Sequence, residues 1–493
     1  MVRIFNVYYP TRTVVLLLCE ALIVSTSFLL ATAIIVGPDT YIVLNYEYGM
    51  LKIAGITGLT ILCSYYFDLY EPQSISARWE IYFRLLVVLG LLAIILSAII
   101  YVFPAFAIAP YIMPLGLTFL TAALVAWRSA YEWIIGSPIF AERVYVLGDG
   151  ELAQTIARTI RTRRDSGMEL VESINPVTSH PVTSHPVTGD PVTGNPVTGN
   201  PVTGNPVTGN PITAGMSRKE SFAAMLQSFS GPKPKIDRVI VAMEDRREGL
   251  PVRELLRLRF DGVIIEEAGT LLERLSCKLQ LSNLHPSSFI YAEGFRLKPS
   301  QLISRRIVSM IAAALGLLII APLLPIVILL VRLSSPGPIF YRQSRVGLRG
   351  KTFMVLKFRT MRQDAEANGA KWATKDDPRV TPIGRFMRKT RLDEVPQLWN
   401  ILRGDMNFVG PRPERPEFVP LLSEEMPFYH LRHTIRPGLT GWAQVRYGYG
   451  GTLEESRHKL EFDLYYLKHM SLGLDLLIMF ETVKTILRRR GGQ

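Results

Sequence analysis

Four apolar runs open the chain, at about residues 13–37, 49–67, 81–103 and 108–127. Each is close to the roughly 20 residues that a helix needs to cross a bilayer. No other feature restricts the fold as strongly, because a run without a polar face settles only inside a bilayer or at the centre of a bundle. A soluble helical bundle is the competing reading, and it would need the polar stripes that these runs lack. Arg3 and Arg12 precede the first run, Arg78 and Arg84 lie between the second and third, and Arg128 and Arg143 follow the fourth. The other two loops are poor in basic residues, Lys52 excepted. The positive-inside rule then places both ends of this unit, residues 1–135, in the cytoplasm. The first run is too long for a cleavable signal and lacks a small-residue cleavage site. A formal charge of +13 suits anionic headgroups, phosphorylated substrates or nucleic acid, and does not choose among them. Cys19, Cys63 and Cys277 form no CxxC pair, so neither a disulfide frame nor a zinc site is expected, in keeping with a reducing cytosolic side.

A second kind of pattern covers residues 140–300. The run Arg143-Val-Tyr-Val-Leu147 reads as a strand that enters Gly148-x-Gly150 and then an amphipathic helix, with Ala153 in place of a third glycine. This is the pattern of a first βα turn in a Rossmann-like fold, although a truncated glycine signature is a weak one. Asp237–Met243 and Gly262–Ile265 read as further strands, with a helix over Val252–Phe260 between them. The expected domain is therefore a small α/β unit, either binding a nucleotide or retaining the fold for regulation or assembly. Within it, the pentapeptide Pro-Val-Thr-Gly-Asn and its variants repeat in register across 176–215. Proline at every fifth position forbids helix, and the composition offers no core, so this insertion is expected to be disordered. His180 and His185 fall at the repeat spacing and read as variation of the repeat rather than as metal ligands.

The fifth apolar run, 307–331, spans roughly 37 Å as a straight helix, enough to cross. Arg305 and Arg306 precede it, Arg332 follows it, and Pro322 and Pro325 interrupt it past the middle. A full crossing would place the last 160 or so residues outside the cell, away from nucleotide substrates. A re-entrant helix broken at Pro322, entering and leaving the cytoplasmic leaflet, is the expectation. At the far end of the chain, Leu474, Leu477, Ile478 and Phe480 lead to Arg488-Arg489-Arg490, a combination that suits a headgroup surface.

The chemistry is expected at Asp393-Glu394. Leu392, Val395, Leu398, Trp399 and Leu402 recur at helical spacing, and Pro396 belongs in a first turn, so a helix is expected to begin near Asp393. In the bland reading Asp393 caps that helix and Glu394 complements its dipole. In the chemical reading one carboxylate attacks phosphorus and its neighbour holds Mg²⁺, while Arg345, Arg359 and Arg412 neutralise the developing charge.

The words Pro336-Gly-Pro-Ile-Phe340-Tyr-Arg-Gln343, Arg345-Val-Gly347, Lys357-Phe-Arg359-Thr-Met361, Leu392-Asp-Glu-Val-Pro-Gln397, Gly404-Asp-Met406, Val409-Gly-Pro-Arg-Pro413 and Pro437-Gly-Leu-Thr-Gly-Trp-Ala-Gln-Val445 occur in order. On them, residues 303–493 resemble the bacterial sugar transferase family, polyprenyl-phosphate glycosyl-1-phosphate transferases. The membrane and α/β parts resemble its large, multi-domain branch. Thr360 and Val395 stand where serine and leucine are more usual, and the pentapeptide array lies outside the pattern.

The resemblance implies an α-helical membrane bundle, a Rossmann-like cytoplasmic domain and a mostly helical α/β catalytic domain on a re-entrant helix. It implies Asp393 as nucleophile towards a UDP-sugar, Glu394 as the Mg²⁺ ligand, and undecaprenyl phosphate as acceptor. Arg345, Lys357, Arg359 and Arg412 are expected to bind substrate phosphates. Gln397, Pro411, Pro413, Thr440 and Gln444 are expected to line the pocket, and Pro322 to break the re-entrant helix. A homodimer in the bacterial inner membrane is implied, with membrane lipid and no nucleic acid as partner. Two alternatives remain. A nucleotide-sugar dehydratase or epimerase would need Tyr-x-x-x-Lys, found only as Tyr48…Lys52 at a membrane edge. A non-catalytic nucleotide-sensing scaffold would not need the intact Asp393, Glu394 and Arg412.

Overall fold

A computed structural model describes residues 1–71, 78–106, 108, 111–136, 141–148, 150–163, 166–171, 218–229, 235–243, 250–284, 286–362, 377–448 and 452–487. The repeat tract 176–215, Asp149 of the glycine signature and the terminal Arg488–Arg490 cluster lie outside these residues. The chain divides into two compact units, Met1–Glu132 with Leu272–Gln493, and Trp133–Leu271.

The first unit begins with a hairpin that the sequence did not announce, β1 (Val2–Ile4) and β2 (Val7–Tyr9). Phe5 and Asn6 both take positive φ in its two-residue turn, the conformation that matches the twist of a tight hairpin. Four long apolar helices follow. They are α1 (Thr11–Val36), α3 (Gly49–Tyr66), α4 (Arg78–Val102) and α5 (Ile112–Gly136), with a short α2 (Thr40–Asn45) after the first. The spans Thr11–Asn45, Trp79–Val102 and Ile112–Ile134 are long and apolar enough to cross a membrane. Helix α3 has 18 residues, roughly 27 Å, the shortest of the four. Val24, Phe28, Leu85, Val88, Leu92 and Leu120 pack inside, while Leu18, Leu22, Ile34, Leu86 and Ile94 face outward. Among the described residues of these helices one ion pair is buried, Arg128 to Glu20 at 2.5 Å. The Tyr70 hydroxyl donates to Glu20 at 2.7 Å and Arg128 donates to the Leu69 carbonyl at 2.9 Å, so both charges are partnered, as an apolar bundle requires.

The second unit is a parallel sheet, and each half of it is a strand–helix–strand run. β3 (Glu142–Leu147), α6 (Glu151–Thr162) and β4 (Met168–Leu170) form one half. α7 (Arg218–Ser228), β5 (Arg238–Val241), α8 (Val252–Phe260) and β6 (Ile264–Glu267) form the other. The strand order is β4-β3-β5-β6, all parallel. Tyr145, Leu147, Val239, Leu255 and Leu258 share its core. Gly148 has φ +148, and a Cβ there would run into the Ala242 carbonyl, so this glycine lets the β3–α6 turn pass close to the end of β5. The glycine of the signature thus has a packing reason of its own.

Helix α9 (Ala268–Ser276) and the short α10 (Pro286–Tyr291) lead back into the first unit. The fifth apolar run is longer than its hydropathy suggested. Helix α11 (Pro299–Ile320) and α12 (Leu324–Ser334) are separated by a single tighter turn, Ala321–Leu323, that contains Pro322. Pro325 lies in the first turn of α12, where its missing N–H costs least. The whole stretch, Pro299–Ser334, is long and apolar enough to cross.

The remainder is built of short elements. β7 (Phe340–Val346) pairs antiparallel with β8 (Thr352–Phe358), so Arg359 and Thr360 follow the strand rather than lie in it. Next come α13 (Pro382–Thr390), α14 (Gln397–Arg403), β9 (Asn407–Val409), α15 (Val419–Glu425), β10 (Gly438–Thr440), α16 (Trp442–Arg446), α17 (Leu453–His469) and α18 (Leu472–Leu487). Strand β9 pairs parallel with β10. Trp442, Tyr429, Tyr465 and Tyr466 form the core here, joined by Val7 of the N-terminal hairpin and by Cys277. Asn6 donates to the His469 carbonyl at 2.9 Å, which ties the start of the chain to the end of α17.

Helix α18 divides by face. Leu474, Asp475, Ile478 and Lys484 are buried in protein, while Leu476, Val483 and Leu487 are exposed. Lys484 reaches Asp68 at 2.8 Å and Glu71 at 3.2 Å, Tyr65 bonds Glu481, and Phe480 packs on Tyr65 and Tyr66. Carboxylates next to the end of α3 take up a lysine that the sequence alone would leave in solvent.

Candidate active site

Asp393 and Glu394 lie on a single tight turn, Leu392–Glu394, between α13 and α14. This corrects the expected helix start. Pro396 occupies the cap position and Gln397 the first turn, so α14 begins beyond the acidic pair and Asp393 caps nothing. The apolar stripe also splits, with Leu398 and Ile401 buried and Trp399 55% exposed. Two constraints hold the turn. Arg391 ends α13 in the left-handed region, φ 59, a conformation uncommon outside glycine. Ala313 and Leu317 of α11 pack with Val395 and Leu398, while Val327 and Val331 of α12 pack with Met387, Leu392 and Val395. Both halves of the broken helix thus grip the same turn.

Each carboxylate is 7% exposed. Glu394 Oε1 accepts from Arg412 at 2.7 Å and from Lys357 at 3.1 Å, and Oε2 lies 4.0 Å from Arg391. Burial pushes this carboxyl up, but Arg412, Lys357 and Arg391 more than offset it and hold Glu394 well below the usual carboxylate range. Asp393 shows the opposite balance. Burial first, and then the Glu394 charge, push its carboxyl up against the pull of Lys357, Arg391 and Arg388. Its Oδ1 is buried without a hydrogen-bond partner. One carboxylate of the pair is tied into a cationic frame, and the other has a desolvated oxygen left over.

Lys357 comes from β8 and Arg412 from the loop after β9. Asn400 joins α14 to the first of these, accepting from Leu356 N at 3.0 Å and donating to the Met354 carbonyl at 2.8 Å. Gly384 lets α13 approach from the other side, since a Cβ there would run into the Thr360 carbonyl. Arg388 Nε then donates to Thr360 Oγ1 at 3.0 Å.

The other expected residues are placed as follows. Arg345 uses its guanidinium on Gln343 Oε1, at 2.7 and 3.1 Å, and on the Pro413 carbonyl at 3.1 Å. Arg359 donates to the Ser335 carbonyl at 2.6 Å. The Pro411 carbonyl accepts from Gly438 N at 2.9 Å, linking the Arg412 loop to β10. Thr440 bonds Thr482 of α18 at 2.7 Å. Gln444 donates to the Leu439 carbonyl at 3.2 Å, and its Oε1, like the Gln397 amide nitrogen, is buried without a partner. The structure therefore gathers Asp393, Glu394, Lys357 and Arg412 directly, and holds the others through the surrounding loops.

Arg432 and Asp463 escaped the sequence reading. Arg432 is buried, donates to the Arg412 carbonyl at 2.8 Å and to the Tyr429 hydroxyl at 2.7 Å, and pairs with Asp463 at 2.9 Å. Burial pushes the Asp463 carboxyl up to about 6 even with Arg432 beside it. No local spacing connects positions 412, 432 and 463, so only tertiary packing reveals the support.

The family model described as bacterial sugar transferase matches residues 300–489. A UDP-N-acetylgalactosamine-undecaprenyl-phosphate N-acetylgalactosaminephosphotransferase of Aeromonas hydrophila is 41% identical over 223 residues, 45% of this chain and 52% of that protein. A UDP-glucose:undecaprenyl-phosphate glucose-1-phosphate transferase of Escherichia coli (strain K12) is 43% identical over 182 residues, 36% of this chain and 39% of that protein. The match thus spans about half the length of the first relative and less of the second. The exopolysaccharide production protein PSS of Rhizobium leguminosarum bv. phaseoli is 41% identical over 198 residues, which is 98% of its length. With a relative covered almost end to end at that identity, this chain belongs to the bacterial sugar transferase family.

Proposed function

We propose that the chain moves a sugar-1-phosphate from a UDP-sugar to undecaprenyl phosphate at the inner membrane, an early step in building an exopolysaccharide, capsule or O-antigen. The names of the relatives support the substrate pair. The observation that carries the mechanism is the desolvated, unpartnered Oδ1 of Asp393 beside a Glu394 gripped by cations. In the first step this oxygen forms a bond to the β-phosphorus, the bond to the bridging oxygen breaks, and UMP leaves with that electron pair. In the second, an oxygen of the lipid phosphate attacks the same phosphorus and the Asp393 carboxylate departs, giving a lipid-linked diphosphate sugar. Lys357 and Arg412 offset the negative charge that would otherwise repel an anionic nucleophile from a diphosphate.

We read Glu394 as the protein ligand that would hold Mg²⁺, beside the unpartnered Asp393 Oδ1. Among the described residues no three His, Cys, Asp or Glu side chains gather, so the remaining ligands would be water and phosphate oxygens, the usual arrangement for this ion. When bound, the ion would neutralise diphosphate charge.

We read α11 and α12 as a re-entrant helix broken at Pro322, and Trp133–Leu271 as the Rossmann-like part. Packing of both helix halves around Val395 supports the first reading, and the parallel strand order supports the second. We propose a membrane domain 1–135, a cytoplasmic domain 140–300 and a catalytic domain 303–493, with a homodimer as the expected assembly; Cys277, Leu279 and Leu281, late in the second stretch, pack in the first unit with Trp442.

Asp393→Asn should abolish UMP release from a UDP-sugar, with or without lipid acceptor. Unchanged release would remove the nucleophile assignment. For topology, a single cysteine at Lys351, in a chain freed of its own three, should resist labelling from the periplasm. Ready labelling there would exclude the hairpin.

A further inference from the structure

Arg359 follows Lys357 of the Glu394 cluster by two residues but is satisfied differently. Its backbone N–H donates to the Ile339 carbonyl at 3.0 Å, which continues the β7–β8 pairing by one residue. Its side chain donates once, from Nη2 to the Ser335 carbonyl at 2.6 Å. The residue is only 7% exposed, yet Nε and Nη1 are buried with no hydrogen-bond partner, and so is the Ser335 hydroxyl. Lys357, two residues earlier and roughly 7 Å away along an extended chain, is engaged by Glu394 instead.

A buried guanidinium with two idle N–H groups beside an idle hydroxyl is an unstable arrangement without a ligand, because every such donor has given up water. Three desolvated donors around one positive charge match an anion with several acceptor oxygens in a tetrahedral array, such as a phosphate. Ser335 is the first residue beyond α12, and Leu333 beside it is 73% exposed. The donors therefore stand where the apolar helix leaves off, the level at which a phosphate carried on a lipid chain would lie.

We propose that Arg359 and Ser335 hold the phosphate of the prenyl phosphate acceptor, while Lys357 and Arg412 serve the donor diphosphate. This division rests on the two-substrate reading above. It gives the acceptor oxygen an approach to phosphorus from the membrane side, separate from the departing nucleotide. An anionic phospholipid headgroup presents the same phosphate chemistry, so the two sources have to be separated.

The test uses the full chain in phosphatidylcholine nanodiscs doped with undecaprenyl phosphate or, at equal mole fraction, with phosphatidylglycerol. Binding of each lipid and of UDP is measured by native mass spectrometry. Arg359→Gln should raise the Kd for undecaprenyl phosphate by about tenfold or more, and by at least about tenfold more than it raises the Kd for UDP. Ser335→Ala, which removes only a hydroxyl, should shift the same Kd by a few fold, so the proposal stays testable if the arginine variant does not fold. Lys357→Gln should show the reverse preference, weakening UDP more. Parallel loss of UDP and undecaprenyl phosphate binding in Arg359→Gln would overturn the division, as would equal binding of phosphatidylglycerol. Lipid phosphate binding that follows this pattern in a chain that does not bind UDP would leave the acceptor site standing and count against the proposed reaction instead.

Discussion

At the scale of single residues, the site separates two carboxylates that are neighbours in sequence. Glu394 is ionised against Arg412 and Lys357, while Asp393 is desolvated and faces a negative neighbour. The folded Asp393 carboxyl holds its proton more tightly than the unfolded one, so its contribution to stability is complete at low pH and is lost as pH rises through the folded pKa. Asp393→Asn should therefore be inactive and also more stable near neutral pH, by about 1–3 kcal/mol, which thermal unfolding would show. UMP release in the intact protein should fall on acidification with a midpoint above the ordinary aspartate value near 3.9, as a single-turnover pH profile would record. Arg432 acts one step back. Arg432→Lys keeps the charge but loses the fork that holds Tyr429, the Arg412 carbonyl and Asp463 together. Turnover should drop by roughly 10- to 100-fold with little change in the KM for the lipid acceptor, since the damage is to the placement of Arg412.

At the scale of elements, the break between α11 and α12 positions the turn that carries Asp393 and Glu394. A proline has no N–H to give to the carbonyl four residues earlier, so Pro322 and Pro325 remove the helical bonds to Leu318 and Ala321 in neighbouring turns, and the Ala321 carbonyl accepts from Leu324 N instead. The resulting turn lets α11 pack on Leu398 and α12 pack on Leu392 and Met387. Replacing both prolines by alanine restores those bonds and favours one straight helix. That variant should lose at least about tenfold in turnover, and a cysteine at Lys351 should become more reactive from the outside. Elements with a strong period were legible: three of the apolar helices, the helix Val252–Phe260 and the strand opening at Arg143 were foreseen within a few residues, while the fourth helix runs on to Gly136, past the apolar run that ends near 127. Short elements were not. The turn Leu392–Glu394 and helix α14 take their limits from Arg391, Pro396 and the packing of Val395, which no periodicity encodes.

At the scale of the molecule, the membrane bundle and the catalytic part share a seam rather than a tether. The first nine residues pass back into the core around Trp442, and α18 sets Lys484 between Asp68 and Glu71. Thr482, on the same helix, bonds Thr440, whose carbonyl accepts from Gly410 N at 2.9 Å, two residues before Arg412. Lys484→Met removes the ammonium from a buried ion pair and should cost about 3–5 kcal/mol of stability, read as a fall in Tm. A mild change in turnover at temperatures where the variant stays folded is the accompanying expectation, because the relay to Arg412 runs through hydrogen bonds left in place.

By itself the sequence determined the membrane-length helices, the α/β pattern, the acidic pair and the run of motifs that marks the family, because each depends on residues near one another in the chain. Only the tertiary structure decided which oxygen of which carboxylate is left without a partner, that Arg432 and Asp463 support Arg412, that Arg359 donates to the Ser335 carbonyl, and that one face of α18 packs on protein. Those outcomes turn on desolvation and on the meeting of charges tens to hundreds of residues apart, and a linear pattern carries no record of either.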